Sequence, residues 1–128
     1  MFKNYRKMTE AELQARVMRD IGGRLDCRIF RNQTGGYKLE DGRFITSGLC
    51  KGSGDLIGWQ SVKITPSMVG KRIAVFVSIE LKGASGRPTP EQTNWANTIR
   101  AAGGRAGIAR SLAEAHFILT QPFPSFEN

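Results

Sequence analysis

The sequence is poor in the residues that soft-metal chemistry needs. It has one histidine, His116, and two cysteines, Cys27 and Cys50, set far apart with no C-x-x-C spacing. That ligand count excludes zinc fingers and histidine-metal nucleases, and the two thiols are expected to be buried and reduced, as in a cytosol. Long apolar runs are missing too, since no segment approaches the roughly 18 consecutive apolar residues of a membrane span. The start of the chain, MFKNYRKMTEAELQ, has basic residues without an apolar stretch behind them, so no signal peptide is expected. Acidic residues are scarce: 11 Asp and Glu stand against 19 Lys and Arg, leaving a net charge of +8. A small basic chain suits a polyanionic partner, because each cation placed on a phosphate releases a condensed counterion. Basic charge scattered along a chain also serves plain solubility.

What is present is globular: 40% apolar and 23% charged residues in a chain of 128, enough to bury a core, and expected to form a single domain over residues 1–128. Thr9-Glu10-Ala11-Glu12 is a capping box, and it opens a helix to about Ile21 that ends at Gly22-Gly23, with Leu13, Val17, Met18 and Ile21 as the buried stripe. LDCRIFRN (25–32) alternates as a strand, QTGGYKLEDG is turn-rich, and residues 43–46 read as a short return strand. The glycine-rich loop SGLCKGSGD leads into DLIGWQSV, and KITPSMVGK connects that strand to RIAVFVSIELK, the longest strand expected, in a β-meander. A helix follows from Pro90 to about Ala102, capped by Thr89 and closed by Gly103-Gly104, then a strand RAGIA and a last helix from Ser111 through Leu119. The expected order is α-β-β-β-α-β-α, a mixed β-sheet flanked by helices, with Trp59 and Trp95 as core residues.

The chemistry concentrates in VFVSIELKG, residues 75–83. Alternation puts Val75, Val77, Ile79 and Leu81 on one face and Phe76, Ser78, Glu80 and Lys82 on the other, so a carboxylate and an ammonium stand side by side after a run apolar enough for mid-sheet. If DLIGWQSV and RIAVFVSIELK form an antiparallel hairpin, pairing Asp55 with Glu80 centres the turn inside ITPSMVGK, where Pro66 and Gly70 lie. Two facing carboxylates repel unless a cation lies between them. A hard cation takes one or two carboxylates plus water and substrate phosphate, and Asp55, Glu80 and the Leu81 carbonyl could supply the protein's share, with Lys82 beside them to orient water and neutralise phosphate charge. The alternative is a plain ion pair of Lys82 with Glu80 or Asp55 at a solvated strand end.

Gly54-Asp55, a strand-length gap, Glu80-Leu81-Lys82 and then Gln92 in the following helix resemble the PD-(D/E)XK nuclease superfamily, and more specifically the VRR-NUC family of virus-type replication-repair nucleases. The resemblance runs from about Thr9 to Leu112. It implies a restriction-endonuclease-like α/β core, with Asp55, Glu80 and the Leu81 carbonyl holding Mg²⁺ or Mn²⁺, Lys82 as the catalytic lysine, Gln92 assisting, and Glu12 as the acid of the first helix. Gly54 stands where the family pattern has proline, and Leu81 where valine is commoner. The resemblance further implies a homodimer acting on branched DNA such as Holliday junctions, in a bacterial or phage-infected cytosol.

Several of these residues have ordinary roles open to them. Glu12 and Gln92 each complete a capping box, and Glu12 is also an i, i+4 partner of Arg16. Lys38, Lys51 and Arg87 are candidate backbone-phosphate contacts, or solvated charges. The loop Gly52-Ser53-Gly54 precedes a strand, whereas dinucleotide cradles follow one and open a helix, so it is not read as a phosphate loop. Against a DNA endonuclease stands a second hypothesis, a non-catalytic basic module that binds nucleic acid on the same fold. At the C-terminal end Phe117, Ile118, Leu119, Phe123 and Phe126 are apolar enough to form a dimer surface or to fold back onto their own subunit.

Overall fold

A computed structural model describes residues 7–125, which belong to two compact units, Met1–Gln60 and Ser61–Asn128. Phe126 lies outside the described residues.

In the first unit the helix α1 (Glu10–Gly22) starts where its capping box predicts: Thr9 Oγ1 accepts the Glu12 N–H at 3.1 Å, and the Glu12 carboxylate accepts the Thr9 N–H at 3.4 Å. Its apolar stripe is only partly covered, with Val17 and Met18 half-buried while Leu13 and Ile21 remain 52% and 38% exposed. Strand β1 (Cys27–Arg31) pairs antiparallel with β4 (Leu56–Gln60). Between them β2 (Gly35–Lys38) and β3 (Phe44–Ser47) make a separate antiparallel ribbon. The residues of β2 were expected to be turn, since two glycines and exposure on both faces leave no alternation to detect. Gly58 has no room for a side chain, because a Cβ there would lie 1.8 Å from the Arg28 carbonyl oxygen of the facing strand. Phe30 and Trp59 pack ring against ring at 5.7 Å. Cys27 is half-buried and Cys50 is exposed, both as free thiols, so the expectation of burial fails for Cys50.

The second unit opens with a single 3-10 turn, Pro66–Met68, and then forms strand β5 (Val77–Leu81), helix α2 (Pro90–Ala102), strand β6 (Arg105–Ala109) and helix α3 (Leu112–Ile118). β5 and β6 are parallel, which requires a crossover, and α2 is that crossover. Helix α2 has a complete capping box at Thr89, Pro90 in its first turn, and Gly103 as C-cap at φ 101°, a left-handed conformation that glycine adopts without a Cβ clash. The core of this unit is apolar and compact: Ala96 and Ile99 of α2, Ala106 and Ala109 of β6, and Ile118 of α3 are all buried.

The order of elements is that of a mixed α/β protein, with β2 added to it, β3 matching the return strand expected at 43–46, and three small sheets among the described residues in place of one. The expected β-meander does not form as a hydrogen-bonded ladder. β4 takes β1 as its partner and β5 takes β6, so the register that would set Asp55 opposite Glu80 is not the one these strands use. The expected long strand is also shortened, since regular pairing begins at Val77 and residues 72–76 stay outside it. Trp95, expected in the core, is 36% exposed and reaches the sheet through a hydrogen bond.

Candidate active site

In the second unit, α2 reaches Phe76, just ahead of β5, and Ser78 and Glu80 on the strand itself. The Trp95 indole N–H donates to Ser78 Oγ at 2.9 Å, and its ring meets Phe76 edge-on at 6.4 Å. One turn nearer the helix start, Gln92 Nε2 donates to Glu80 Oε1 at 2.8 Å. The same Gln92 closes the helix cap: its backbone N–H donates to Thr89 Oγ1, and its Oε1 accepts the Thr89 N–H at 2.9 Å. A side chain tied at its oxygen to the cap and at its nitrogen to the carboxylate has little rotational freedom left. Gln92 therefore fixes Glu80 relative to α2.

Lys82 follows on the same face. Its Nζ lies 3.6 Å from Glu80 Oε1, with the Lys82 side chain 19% exposed and that of Glu80 41%. The ion pair offered as the alternative reading is thus present, although it is longer than the hydrogen bond from Gln92 to the same oxygen. The Lys82 backbone N–H donates to the Ala109 carbonyl at 3.0 Å, which extends the parallel pairing one residue past Leu81. The stem of Lys82 runs against Gly86, and Arg110 Nη1 donates to the Gly83 carbonyl at 2.6 Å, so the loop that leaves the strand is anchored directly after the lysine. Arg110 was not singled out in the sequence, where nothing separates it from the other basic residues.

In the first unit, Asp55 stands immediately before β4 and is exposed. It lines an open cleft of about 530 Å³ together with Gln14 of α1, Asn32, Gln33, Thr34 and Ser47, an almost wholly polar wall. From α1 it is Gln14, and not Glu12, that reaches this cleft; Glu12 serves the helix cap. Asn32 is the residue that sequence reading missed. It was read as the last residue of a strand, yet it is 93% buried and hydrogen-bonded to the loop ahead of Asp55. An asparagine followed by Gln-Thr-Gly-Gly looks like the start of a turn, and no local pattern marks such an amide as an anchor. Lys38 at the end of β2, Lys51 in the glycine-rich loop and Arg87 in the loop after β5 are all exposed, as backbone-phosphate contacts need to be.

Among the described residues no three His, Cys, Asp or Glu side chains cluster into a metal cage. By chemistry, the Asp55 carboxylate in the first unit and the Glu80 carboxylate and Leu81 carbonyl in the second are each donors of the kind a hard cation takes, and such a cation needs only one or two carboxylates and completes its shell with water and phosphate.

The VRR-NUC domain matches residues 38–113, a stretch that contains Asp55, Glu80, Leu81, Lys82 and Gln92. The chain belongs to the VRR-NUC family. Membership gives it a nuclease-type function, with DNA as the implied substrate, and accords with the mixed α/β architecture. Glu12, Gln14 and Asn32 precede the matched stretch. No curated protein and no solved structure matches the chain. No helix among the described residues is long and apolar enough to cross a membrane.

Proposed function

We propose that this VRR-NUC protein is a Mg²⁺- or Mn²⁺-dependent DNA endonuclease, with Asp55, Glu80 and the Leu81 carbonyl as the metal's protein ligands and Lys82 as the catalytic lysine. The observation that carries the reading is the Glu80, Lys82 and Gln92 constellation: a carboxylate held by an amide at 2.8 Å with an ammonium 3.6 Å away, inside the stretch that matches the family. The metal, when bound, lowers the pKa of the attacking water and offsets charge on the phosphate. Lys82 keeps its ammonium beside the carboxylate, where it can orient that water or neutralise charge building on a non-bridging oxygen. Gln92 holds the carboxylate in one rotamer. Lys38, Lys51 and Arg87 would bind the DNA backbone, and Glu12 would be the acid that the first helix contributes. Both units are taken as parts of one nuclease domain, because the matched stretch runs through both.

The finer reading is a homodimer, cytosolic, bacterial or phage-borne, that prefers branched DNA such as Holliday junctions, since two strands cut in related positions call for two sites related by a two-fold axis. The exposure of Phe117 at 70%, Leu119 at 45% and Phe123 at 49% supports a surface for a second copy; Ile118 is instead part of the core. The non-catalytic alternative is favoured by one observation, the Glu80–Lys82 ion pair, which a mere binding module could keep for stability. Cleavage of labelled linear and four-way-junction DNA with and without Mg²⁺, wild type beside Asp55→Asn, separates the readings. The nuclease reading expects metal-dependent cleavage that Asp55→Asn abolishes, while binding without cleavage at any Mg²⁺ or Mn²⁺ concentration would favour the module.

A further inference from the structure

Among the described residues one polar residue keeps less than a tenth of its surface exposed, Asn32 at 7%. An asparagine amide has two N–H donors and a carbonyl acceptor, and here all three are used. Nδ2 donates to Ser53 Oγ at 2.7 Å and to the Gly54 carbonyl at 2.9 Å, while Oδ1 accepts the Leu49 N–H at 3.0 Å. The backbone N–H of Asn32 donates to the Asp55 carbonyl at 2.8 Å. Ser53 passes the anchorage on, its hydroxyl donating to the Cys50 carbonyl at 2.6 Å. The glycine-rich loop is therefore wound around one side chain.

These bonds converge on Asp55. The peptide group before its Cα, through the Gly54 carbonyl, and the peptide group after it, through the Asp55 carbonyl, are both held by the same residue. Two fixed peptide planes fix the φ and ψ between them, and with those the direction of the Asp55 Cα–Cβ bond. In a loop with glycines at 48, 52 and 54, whose backbone is intrinsically free, these bonds restrict the approach to β4.

We propose that Asn32 is a positioning residue for Asp55: it sets the aim of that carboxylate, and so metal affinity and turnover, without touching DNA. The proposal rests on Asp55 being a metal ligand. Residues that orient a ligand typically change metal affinity or activity by about 10- to 100-fold when replaced. Asn32→Asp is the sharpest variant, because it keeps the volume and an acceptor for Leu49 but removes both donors and sets a carboxylate against the Gly54 carbonyl. Ser53→Ala loosens the same loop more gently and serves if Asn32→Asp does not fold.

The experiment uses the full-length chain and three readouts: Mn²⁺ binding by calorimetry, steady-state cleavage against Mn²⁺ and DNA concentration, and hydrogen exchange. For folded Asn32→Asp the expected result is a Mn²⁺ dissociation constant raised about tenfold, kcat lowered about tenfold and KM for DNA within about twofold of wild type. Ser53→Ala should move in the same direction by a smaller factor. Exchange should rise at residues 50–55 and stay low along the β1–β4 ladder. A merely structural role would lower the melting temperature and the active fraction but leave the Mn²⁺ affinity of the folded protein unchanged. Wild-type Mn²⁺ affinity and kcat in folded Asn32→Asp, or in Ser53→Ala where the former is unfolded, would overturn the proposal. Asp55→Asn in parallel keeps the two failures apart: if that variant binds Mn²⁺ and cleaves like wild type, the role of Asp55 is wrong and this proposal goes with it; if it is inactive, only the role of Asn32 is at issue.

Discussion

Among the described residues the buried side chains of the second unit are Ala96, Ile99, Ala106, Ala109 and Ile118, all apolar, whereas in the first unit the side chain buried to a similar degree is Asn32, an amide bonded to a loop. The candidate residues inherit that difference. Glu80 stands on a strand packed against a helix and Lys82 directly after it, so their backbone is carried by an apolar core, and the Gln92 hydrogen bond adds to the hold on Glu80. Asp55 stands at the end of a glycine-rich loop, and its position follows from a few hydrogen bonds, each lost outright if one partner is removed. A rigid scaffold and a pinned loop are two ways of aiming a carboxylate, and they should fail differently.

The largest effect on stability is expected from Ile99→Ala. Ile99 is 1% exposed between α2 and β6, and truncating such a side chain costs about 2–5 kcal/mol through lost burial and the cavity left behind, against about 0.5–1.5 kcal/mol for Ile99→Val. Urea unfolding measures both; a cost under about 1 kcal/mol for the alanine variant would mean that the second unit has no close-packed core.

Gln92 sharpens the comparison because it takes part in both packing and chemistry. Gln92→Ala removes the reciprocal half of the cap at Thr89 and the donor to Glu80, and is expected to cost about 1 kcal/mol of stability and about tenfold in activity. Gln92→Glu keeps an acceptor for the Thr89 N–H but sets a second carboxylate beside Glu80. It should preserve the helix and still lose activity, so thermal melting and cleavage rates would separate the two roles. Equal activity in Gln92→Glu and wild type would leave Gln92 a cap alone.

The smallest effect belongs to the first unit's surface. The Asp26 carboxyl is held well below the usual carboxylate range, first by the hydrogen bond from Arg24 and then by that from Gln60. A depressed carboxylate contributes stability above its unfolded pKa, about 4, and that contribution is lost as pH falls through its folded value. Asp26→Asn should therefore melt slightly below wild type at neutral pH, with the gap closing in acid. The group is solvent-exposed, so the effect is small. A gap that widens on acidification would contradict the assignment.

How much of this was legible in the sequence follows the same division. α2 and β6 were bounded correctly because Thr89, Pro90, Gln92 and Gly103-Gly104 are local signals whose physics needs no partner. The α1 capping box was legible for the same reason. Strand partners were not: alternation in residues 56–60 and 77–81 says that each forms a strand but not that β4 joins β1 and β5 joins β6, which is decided by the α2 crossover and by packing. Gln92 was read as closing the cap at Thr89, which it does, while its site role was expected only from the family pattern. Its hydrogen bond to Glu80 lies between a helix residue and a strand residue that no local signal pairs. Asn32 left no periodic trace, because its role lies in contacts with residues 49–55, far along the chain.

The most direct measurement of the central claim, that this constellation performs phosphodiester chemistry, is Lys82→Ala assayed for DNA binding in Ca²⁺ and for cleavage in Mn²⁺. Lys82 directly follows β5 and its side chain is only 19% exposed, so the melting temperature of the variant is measured alongside to confirm that it is folded. Binding is expected within about twofold of wild type, with cleavage reduced by at least about a hundredfold, the range associated with loss of a transition-state charge partner. Cleavage at the wild-type rate would contradict the claim.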